Sequence, residues 1–284
     1  MNDAECVALL QWAIPRRGLR WTGFRDFRGQ VCKRIGRRIV ELGLGGAPEY
    51  RARLEADAKE WEVFDRLCVV TISRFFRDRG MWEALREDVL PALAEAAIAA
   101  GDDTLRCWSV GCASGEEPYT LSILWALALA PRYPGLRLRV LATDSDAQVI
   151  GRAHAALYES ATLRDLPAAW RDEAFEPRDG AFALRERFRV PVELRRADVR
   201  GALPEDTYRL IFCRNLVCTY FDEQVQGEAL GRLLTRLEAG GAFVIGAHER
   251  LPAGAALQPW HPRLGIHRRP PYPASRNASV TSGK

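Results

Sequence analysis

The chain has 284 residues, of which 48% are hydrophobic and 27% are charged, an ordinary composition for a globular protein. This length suits one large α/β domain, with or without a small accessory domain. No stretch approaches the roughly 18–20 unbroken apolar residues that a membrane span requires. The N-terminal sequence carries an early acid and lacks the basic segment of a signal peptide. We therefore expect a cytoplasmic protein without membrane insertion.

The net charge of +4 is unevenly distributed along the chain. The segment between residues 16 and 38 carries +8, because nine basic residues face a single acid, Asp26, and the rest of the chain carries −4. Charge concentrated in one element predicts a surface that meets an acidic partner. The nine basic residues are Arg16, Arg17, Arg20, Arg25, Arg28, Lys33, Arg34, Arg37 and Arg38.

The cysteines and histidines show no ligand pattern. Seven cysteines lie in apolar contexts without a CxxC pair, and the four histidines are far from ligand-like spacing. This usage predicts buried, reduced thiols and no metal site. The cysteines are Cys6, Cys32, Cys68, Cys107, Cys112, Cys213 and Cys218.

The front of the chain has helical periodicity. Apolar side chains recur at helical spacing over residues 5–14, and after a Gly/Trp turn they recur again over residues 26–42. Two further helices are predicted over residues 50–56 and 58–69. We therefore predict an all-helical N-terminal domain over residues 1–72, with the basic residues mostly on the outer side of its second helix.

From residue 105 onward the pattern is that of an α/β domain. Short β-rich segments alternate with helical stretches, which predicts a doubly wound, mostly parallel sheet with its ligand beyond the carboxyl ends of the strands. This domain is predicted to span residues 73–268, and the Pro/Ser-rich tail at 269–284 is predicted to be disordered. The predicted strands are 105–110, 136–143, 192–197, 208–213 and 242–246, and the predicted helices are 116–130, 146–157 and 223–238.

The segment WSVGCASGEEPYTLSI, residues 108–123, predicts a strand, a tight turn at Gly111 and Gly115, and a helix. The spacing of the glycines is neither GxGxxG nor GxxxxGK[ST]. Glu116 and Glu117 at the helix N-terminus disfavour a phosphate and favour a ligand with an amino group or a cationic centre, such as S-adenosylmethionine. By itself the segment is equally compatible with a simple tight turn.

Acids follow two further strands. Asp144, in LATDSD, is placed to accept hydrogen bonds from ribose hydroxyls, which NAD and other nucleosides share. Its alternative role is to cap the following helix, although Ser145 or Asp146 could do so instead. Asp198, in RRADVRG, is placed either to meet an adenine amino group or to lie in solvent.

Polar residues in two other segments are candidates for the site. In LIFCRNLVCTYFD, residues 210–222, a buried strand runs directly into Arg214 and Asn215, with Tyr220 following. Arg214 could instead cap a neighbouring element. In VTISRFFRD, residues 70–78, the two phenylalanines predict core anchors, and Arg77 belongs either to the site or to a surface pair.

Together these segments resemble CheR-type protein-glutamate O-methyltransferases. The resemblance rests on TISRFFRD, WSVGCASGEEPY, ATDSD, IFCRNLVCTYFD and LEAGGAFVIGAHERL in this order, and it covers residues 6–268. CKRIGRRIVELGL resembles the family's basic second helix, and YESATLRDLPAAW its mid-domain segment. The resemblance implies a Rossmann-like class I methyltransferase domain behind the helical domain. It also implies methyl transfer from S-adenosylmethionine to glutamates of an acidic, helical, chemoreceptor-like protein, with S-adenosylhomocysteine as the product.

The resemblance also assigns roles to individual residues. It implies that Arg77 and Tyr220 are catalytic. It implies that the cofactor is bound by Thr71, Ser73, Arg77, Gly111, Glu117, Asp144, Ala197, Asp198, Arg214 and Asn215. The concentrated positive charge of the second helix predicts contacts to a glutamate-rich protein substrate from Arg28, Lys33, Arg34, Arg37 and Arg38.

The chain departs from the family pattern at several places. Thr71 and the pair Ala197–Asp198 stand where the family has Asn and Asn-Leu, and GAHE replaces GHSE. A one-residue insertion leaves open whether Thr219 or Tyr220 fills the tyrosine position. The region 179–192 is short, which predicts a reduced β-subdomain around 179–197 and leaves docking to a receptor tail open.

Other functions remain compatible with these motifs. One is methylation of a different protein or of a small carboxylate, and another is a non-catalytic module that binds S-adenosylmethionine or S-adenosylhomocysteine. A nicotinamide-dependent oxidoreductase is disfavoured by the glycine spacing. Nucleic acid is disfavoured as a partner because Trp21, Phe24 and Phe27 are spaced for packing rather than for base stacking.

Overall fold

The computed structural model describes residues 1–68 and 73–271. The chain begins with a helical region, defined here as residues 1–68, and the α/β region follows. The helical region contains α1 (Asp3–Ala13), α2 (Arg28–Glu41), α3 (Ala47–Ala56) and α4 (Ala58–Cys68), with short 3-10 turns between α1 and α2. These helices confirm the predicted order of elements in the front of the chain. The predicted disordered tail lies almost wholly outside the described residues.

The apolar stripe of α2 forms the centre of the helical region. Val31, Ile35 and Ile39 are buried at intervals of four residues and pack with apolar side chains of α1, α3 and α4. Burial of this stripe stabilises the helix, because a 14-residue helix is marginal in isolation. The predicted outward placement of the basic residues holds for Lys33 and Arg37, which are exposed, whereas Arg28, Arg34 and Arg38 are half-buried.

A buried ion pair ties α2 to α3 and α4. Glu60 is 2% exposed, and its two carboxylate oxygens accept hydrogen bonds from the Arg38 guanidinium at 3.0 and 2.8 Å. The Tyr50 hydroxyl donates a third hydrogen bond to Glu60 at 3.0 Å. The Arg38 hydrogen bonds lower the pKa of Glu60 even though burial opposes this.

The prediction of reduced thiols is wrong for two cysteines. Cys6 on α1 and Cys32 on α2 form a disulfide. Their Cα atoms lie 5.8 Å apart because the two helices pack side by side, a contact that a sequence separation of 26 residues does not reveal. The other five cysteines are free and buried, as predicted.

The α/β region is built on a seven-stranded sheet. Its strands are β1 (Thr104–Val110), β2 (Arg137–Asp144), β6 (Val192–Arg196), β7 (Tyr208–Phe212), β8 (Leu237–Val244), β9 (Gln258–His261) and β10 (Ile266–Arg268). The strand order is β6-β2-β1-β7-β8-β10-β9. Neighbouring strands are parallel from β6 to β8, and β10 runs antiparallel to β8 and to β9. The predicted doubly wound, mostly parallel sheet is therefore confirmed.

Helices cover both faces of this sheet. Along β7, Leu210 and Phe212 belong to one apolar core while Ile211 belongs to the other, as the alternation of side chains along a buried strand requires. Two of the helices continue through a π-helical turn, at Leu85–Val89 and at Trp125–Leu129. The helices are α5 (Arg79–Ala84), α6 (Leu90–Ala99), α7 (Glu116–Leu124), α8 (Ala147–Ala155), α9 (Ala168–Ala174), α10 (Glu186–Arg189), α11 (Val217–Tyr220) and α12 (Glu223–Thr235).

A second, three-stranded sheet has the order β3-β5-β4 and consists of β3 (Leu157–Tyr158), β4 (Phe175–Arg178) and β5 (Ala181–Leu184). The predicted placement of the β-subdomain at 179–197 is therefore wrong. The small sheet ends at Leu184, and the residues of β6 pair with β2 in the main sheet. Strands of two to four residues are too short to show an alternating pattern in the sequence.

The helical region docks on the loop that follows β7. The Arg20 backbone N–H donates to the Tyr220 carbonyl at 2.8 Å, and its guanidinium donates to the carbonyls of Thr219 and Cys218. A Cβ atom at Gly23 would lie 2.3 Å from the Thr219 carbonyl oxygen, so the close approach requires glycine there.

None of the helices in residues 1–68 and 73–271 combines the length and the apolar character that a membrane-spanning helix needs.

Candidate active site

A cavity of about 820 Å³ lies between the helical region and the carboxyl ends of four parallel strands. Gly111, Asp144, Asp198 and Arg214 follow or end β1, β2, β6 and β7, and all four line this cavity. The cavity thus occupies the place predicted for the ligand of a doubly wound sheet.

The turn after β1 requires glycine for reasons of backbone and packing. Gly111 and Gly115 both have positive φ, at 74° and 91°. A Cβ atom at Gly111 would lie 2.8 Å from Cδ2 of Leu216. The turn therefore brings the start of α7, with Glu117, close to the loop after β7.

Arg214 lies at the centre of a buried ionic network. Its side chain is 6% exposed and donates to Glu117 at 2.9 Å and to Asp78 at 2.5 Å. The other oxygen of Glu117 accepts from the Ser109 hydroxyl at 2.7 Å. The Arg214 Nε is buried and has no hydrogen-bond partner. Arg214 therefore joins β7 to α7 and to the segment before α5, and retains one unsatisfied donor.

Asp78 of this network and Asn215 beside it have backbone φ in the left-handed region, at 63° and 53°. Aspartate and asparagine adopt this region more readily than other non-glycine residues. Both residues adjoin the candidate groups Arg77 and Arg214.

Glu249, which the sequence analysis did not single out as a site residue, holds the loop after β7 in place. One of its oxygens accepts from the backbone N–H groups of Asn215 at 2.8 Å and Gly246 at 2.6 Å. The other oxygen accepts from the Thr219 hydroxyl at 2.6 Å. The sequence signal was the segment GAHE, residues 246–249, which stands where the family has GHSE.

The environments of Thr219 and Tyr220 differ, although both line the cavity. The Thr219 hydroxyl is committed to Glu249. The Tyr220 ring packs against Phe24 of the helical region, with the ring centroids 4.9 Å apart. Burial raises the pKa of Tyr220, and the nearby charge of Arg77 opposes this. Tyr220 thus presents a protonated hydroxyl at neutral pH.

Asp144 faces the cavity from the end of β2. Its two oxygens accept from the backbone N–H groups of Ala113 and Asp146, each at 3.0 Å. The capping alternative for Asp144 does not hold, because Asp146 caps α8 by accepting from the Gln148 N–H at 2.7 Å. Burial raises the pKa of Asp144.

Ala197 and Asp198, the two residues predicted near adenine, differ in their hydrogen-bond partners. The Ala197 N–H donates to the Asp144 carbonyl at 2.9 Å, which fixes the loop after β6 beside the end of β2. Asp198 lines the cavity, but its carboxylate is held by the Arg200 guanidinium at 3.1 and 2.7 Å. Arg200 was not among the predicted site residues.

Of the candidates in the segment 71–77, Ser73 and Arg77 line the cavity. Burial raises the pKa of the Glu116 carboxyl, and the Ser73 hydroxyl opposes this increase. The Arg77 carbonyl accepts from Trp82 Nε1 at 2.9 Å, which fixes the backbone behind the Arg77 side chain. Thr71 lies outside the described residues.

The predicted substrate-binding residues of α2 lie apart from the cavity lining. Arg28 pairs with Asp3 at 3.4 Å, Arg34 donates to the Leu67 carbonyl at 3.3 Å, and Arg38 pairs with Glu60 and Glu41. Lys33 and Arg37 are exposed, one helical turn apart.

The residues around the cavity fit S-adenosylmethionine. Glu117 and Asp144 supply acceptors for an ammonium group and for ribose hydroxyls, while the guanidinium groups of Arg77 and Arg214 supply donors for a carboxylate. The volume lies within the roughly 300–1,000 Å³ of small-molecule sites. In residues 1–68 and 73–271, no three His, Cys, Asp or Glu side chains form a group that could hold a metal ion.

The sheet order, the antiparallel strand β10 and the cavity at the strand ends together define a class I S-adenosylmethionine-dependent methyltransferase fold. Residues 71–260 match the family described as CheR methyltransferase, SAM binding domain. The chain belongs to this family, which confirms the predicted family and excludes the nicotinamide-dependent alternative.

Relatives match the chain over most of its length. The chemotaxis protein methyltransferase of Listeria monocytogenes is 32% identical over 222 residues, covering 78% of this chain and 81% of the relative. The chemotaxis protein methyltransferase of Salmonella typhimurium is 30% identical over 261 residues, covering 88% and 84%. Among solved structures, the CcbJ methyltransferase of Streptomyces caelestis aligns with a TM-score of 0.35 and 18% identity, covering 60% of this chain and 52% of that chain.

Proposed function

We propose that the protein transfers a methyl group from S-adenosylmethionine to glutamate side chains of a chemoreceptor-like protein in the cytoplasm, as part of chemotaxis signalling. The observation that carries the proposal is one cavity that combines Glu117 and Asp144 with Arg77, Arg214 and Tyr220. The two relatives that are named chemotaxis protein methyltransferases support the substrate class.

Three residues of the chain bind three different parts of the cofactor. Glu117 accepts from its ammonium group, Arg214 donates to its carboxylate, and Asp144 accepts from the ribose hydroxyls. The remaining contacts that the family resemblance implies come from Thr71, Ser73, Arg77, Gly111, Ala197, Asp198 and Asn215.

When bound, S-adenosylmethionine supplies a sulfonium-activated methyl group, and its transfer to a carboxylate oxygen releases no proton. A glutamate is already ionised at neutral pH because its ordinary pKa is about 4.3. No residue of the chain therefore has to act as a base. The work left to the protein is to orient the carboxylate and to exclude water.

Arg77 and Tyr220 are the residues that orient the carboxylate. Arg77 grips one carboxylate oxygen, and the protonated Tyr220 hydroxyl donates a hydrogen bond to the carboxylate. Because the charges of sulfonium and carboxylate disappear in the reaction, a strong grip on the ionised carboxylate would favour the ground state. The benefit of Arg77 is therefore positional, and the partly buried cavity favours the loss of charge.

The protein partner is an acidic helix that meets the outer side of α2. Lys33 and Arg37 are exposed on α2 and belong to the segment between residues 16 and 38 that carries a charge of +8. Such a surface attracts glutamate-rich helices over long range. Arg38 contributes less, because Glu60 already compensates its charge.

One observation favours a second candidate, namely methylation of another protein or of a small carboxylate. The hairpin between β4 and β5 turns through only Asp179 and Gly180, so the small sheet offers a short edge for docking a receptor tail.

Transfer of radiolabelled methyl groups to a glutamate-rich chemoreceptor fragment tests the proposal. We expect base-labile label that disappears when the acceptor glutamates are changed to glutamine. Arg77→Ala should abolish transfer while S-adenosylhomocysteine binding survives at least partly. Arg79→Ala is the matched control because Arg79 is 74% exposed and pairs with Glu83. Near-normal turnover in Arg77→Ala would contradict the role of Arg77, and an unlabelled receptor would favour the second candidate.

A further inference from the structure

The last three carbonyl groups of the short helix α11 accept hydrogen bonds from one residue of the helical region, Arg20. The last four carbonyls of a helix have no intrahelical donors, and α11 consists of only four residues, Val217–Tyr220. The Arg20 guanidinium donates to the carbonyls of Cys218 and Thr219, to the latter at 2.9 Å. The Arg20 backbone N–H donates to the Tyr220 carbonyl at 2.8 Å. Arg20 therefore caps the C-terminal end of α11.

A second contact, from the segment after β8, fixes the side chain of Thr219. The Thr219 hydroxyl donates to Glu249 at 2.6 Å, and the same carboxylate accepts from the Asn215 backbone N–H at 2.8 Å. Because the Thr219 hydroxyl is committed to Glu249, the hydroxyl that α11 offers to a ligand of the cavity is that of Tyr220.

Backbone contacts dock the helical region on this loop independently of the Arg20 guanidinium. The Asp222 N–H donates to the Gly18 carbonyl at 3.0 Å, and Leu19 forms an antiparallel β-bridge with Phe221. Loss of the guanidinium would leave these contacts in place. Arg20 also lies outside the cavity lining, so its side chain can act on the reaction only through α11.

We propose that Arg20 is a positioning residue for methyl transfer, and that its guanidinium fixes α11 so that the Tyr220 hydroxyl meets the acceptor carboxylate. The inference rests on the proposed function, in which Tyr220 donates to that carboxylate. It also assigns the tyrosine position, which the one-residue insertion leaves open in the sequence, to Tyr220 rather than to Thr219.

A double-mutant cycle with Arg20→Ala and Tyr220→Phe tests this role in the assay of methyl transfer to the receptor fragment. Arg20→Ala should lower kcat roughly tenfold, because a displacement of about 1 Å at a catalytic group can cost up to roughly 100-fold. KM for S-adenosylmethionine and the affinity for S-adenosylhomocysteine should stay unchanged, because Arg20 lies outside the cavity lining. With Tyr220→Phe already present, Arg20→Ala should lower kcat no further, because the hydroxyl that it positions is gone.

Arg269→Ala is the matched control. The Arg269 guanidinium also donates to two carbonyls, those of Leu234 at 2.7 Å and of Leu237, at the end of α12 and the start of β8. Arg269 lies outside the cavity lining and contacts no residue of α11 through these bonds. The control therefore loses a comparable pair of hydrogen bonds and should leave kcat unchanged.

Hydrogen exchange of the protein without ligand reports on α11 independently of the reaction. In the wild type the N–H groups of Thr219 and Tyr220 donate to the Leu216 carbonyl at 3.1 and 2.8 Å. Arg20→Ala should speed exchange of these two amides, because local opening of α11 becomes easier, and Arg269→Ala should not.

Additive losses of kcat in the cycle, an equal loss in Arg269→Ala, or unchanged exchange in α11 would overturn the role of Arg20 while leaving the proposed function intact. A wild-type protein that does not label the receptor fragment would instead overturn the proposed function and the catalytic part of this inference. If Arg20→Ala does not fold, Arg20→Gln takes its place in the cycle, because glutamine keeps much of the side chain but removes the guanidinium.

Discussion

Two buried arginine–carboxylate networks lie in different regions of the molecule and differ in their completeness. In the helical region, Arg38 and Tyr50 satisfy both carboxylate oxygens of Glu60. In the α/β region, Arg214 bridges Glu117 and Asp78 but leaves its buried Nε without a partner. The second network also includes the positive φ of Asp78 and faces the cavity.

The difference separates a structural role from a binding role. A fully satisfied buried network stabilises one arrangement of helices, and it leaves no buried donor or acceptor without a partner for a ligand to satisfy. A network that lines the cavity and keeps an unsatisfied donor is incomplete, and a bound ligand can add hydrogen bonds to its arginine and glutamate. The comparison predicts that equivalent substitutions in the two networks will have opposite consequences for binding and stability.

The largest effect on binding is expected for Glu117→Gln. Glutamine keeps the size of the side chain but removes the charge that accepts from the ammonium group. Loss of a charge-assisted hydrogen bond costs about 1.5–3 kcal/mol, which corresponds to roughly 10–150-fold weaker S-adenosylhomocysteine binding by calorimetry. Affinity equal to that of the wild type would remove Glu117 from the cofactor site.

The counterpart is Glu60→Gln, which should leave the affinity for S-adenosylhomocysteine unchanged. It should lower the free energy of unfolding by about 2–3 kcal/mol, because a buried, hydrogen-bonded ion pair is broken. Denaturant titration measures the loss. The folded-state pKa of Glu60 is lowered, so the stabilisation is fully present above the ordinary pKa of about 4.3 and disappears as the pH falls through the folded-state value. An unchanged free energy of unfolding in Glu60→Gln would contradict the structural role of the Glu60 network.

A smaller effect is expected from pH on cofactor binding. Asp144 accepts ribose hydrogen bonds more strongly when it is ionised, and burial raises its pKa. Affinity for S-adenosylhomocysteine should therefore fall by a few-fold as the pH is lowered from neutral towards 5. Asp144→Asn should bind weakly at every pH, with a flatter profile. An unchanged slope in that variant would assign the titration to another group, such as Glu116.

The smallest effect is expected on the outer side of α2. A Cβ atom at Gly36 would meet no atom within 4 Å, and glycine inside a helix costs about 0.5–1 kcal/mol relative to alanine. Gly36→Ala should therefore raise Tm slightly without changing S-adenosylhomocysteine binding. A lower Tm would show that the helix does not tolerate a side chain at this position.

Local patterns in the sequence predicted most of the elements and the strand ends that line the cavity. Glycines, acids and Arg214 at strand ends were visible because parallel strands converge at one edge of the sheet. The missed features depend on contacts between distant segments. Asp78 and Arg214 are 136 residues apart, Glu249 reaches back to Thr219, and the disulfide joins two separate helices.

The helix formed by α5 and α6 was also missed, although it is long. Its buried residues in α6 follow one stripe, but exposed apolar residues such as Ile98 hide that stripe in the sequence, and the π-helical turn at Leu85–Val89 shifts its phase. Arg200 was missed for a different reason, since an arginine two residues after an acid resembles an ordinary surface pair.

The most direct test of the central claim is calorimetric titration of the wild-type protein, the Glu117→Gln variant and the Glu60→Gln variant with S-adenosylhomocysteine. We expect one site per chain in the wild type, unchanged affinity in Glu60→Gln and strongly reduced affinity in Glu117→Gln. Absence of binding to the folded wild-type protein, or equal losses in both variants, would contradict the assignment of the cavity as the cofactor site.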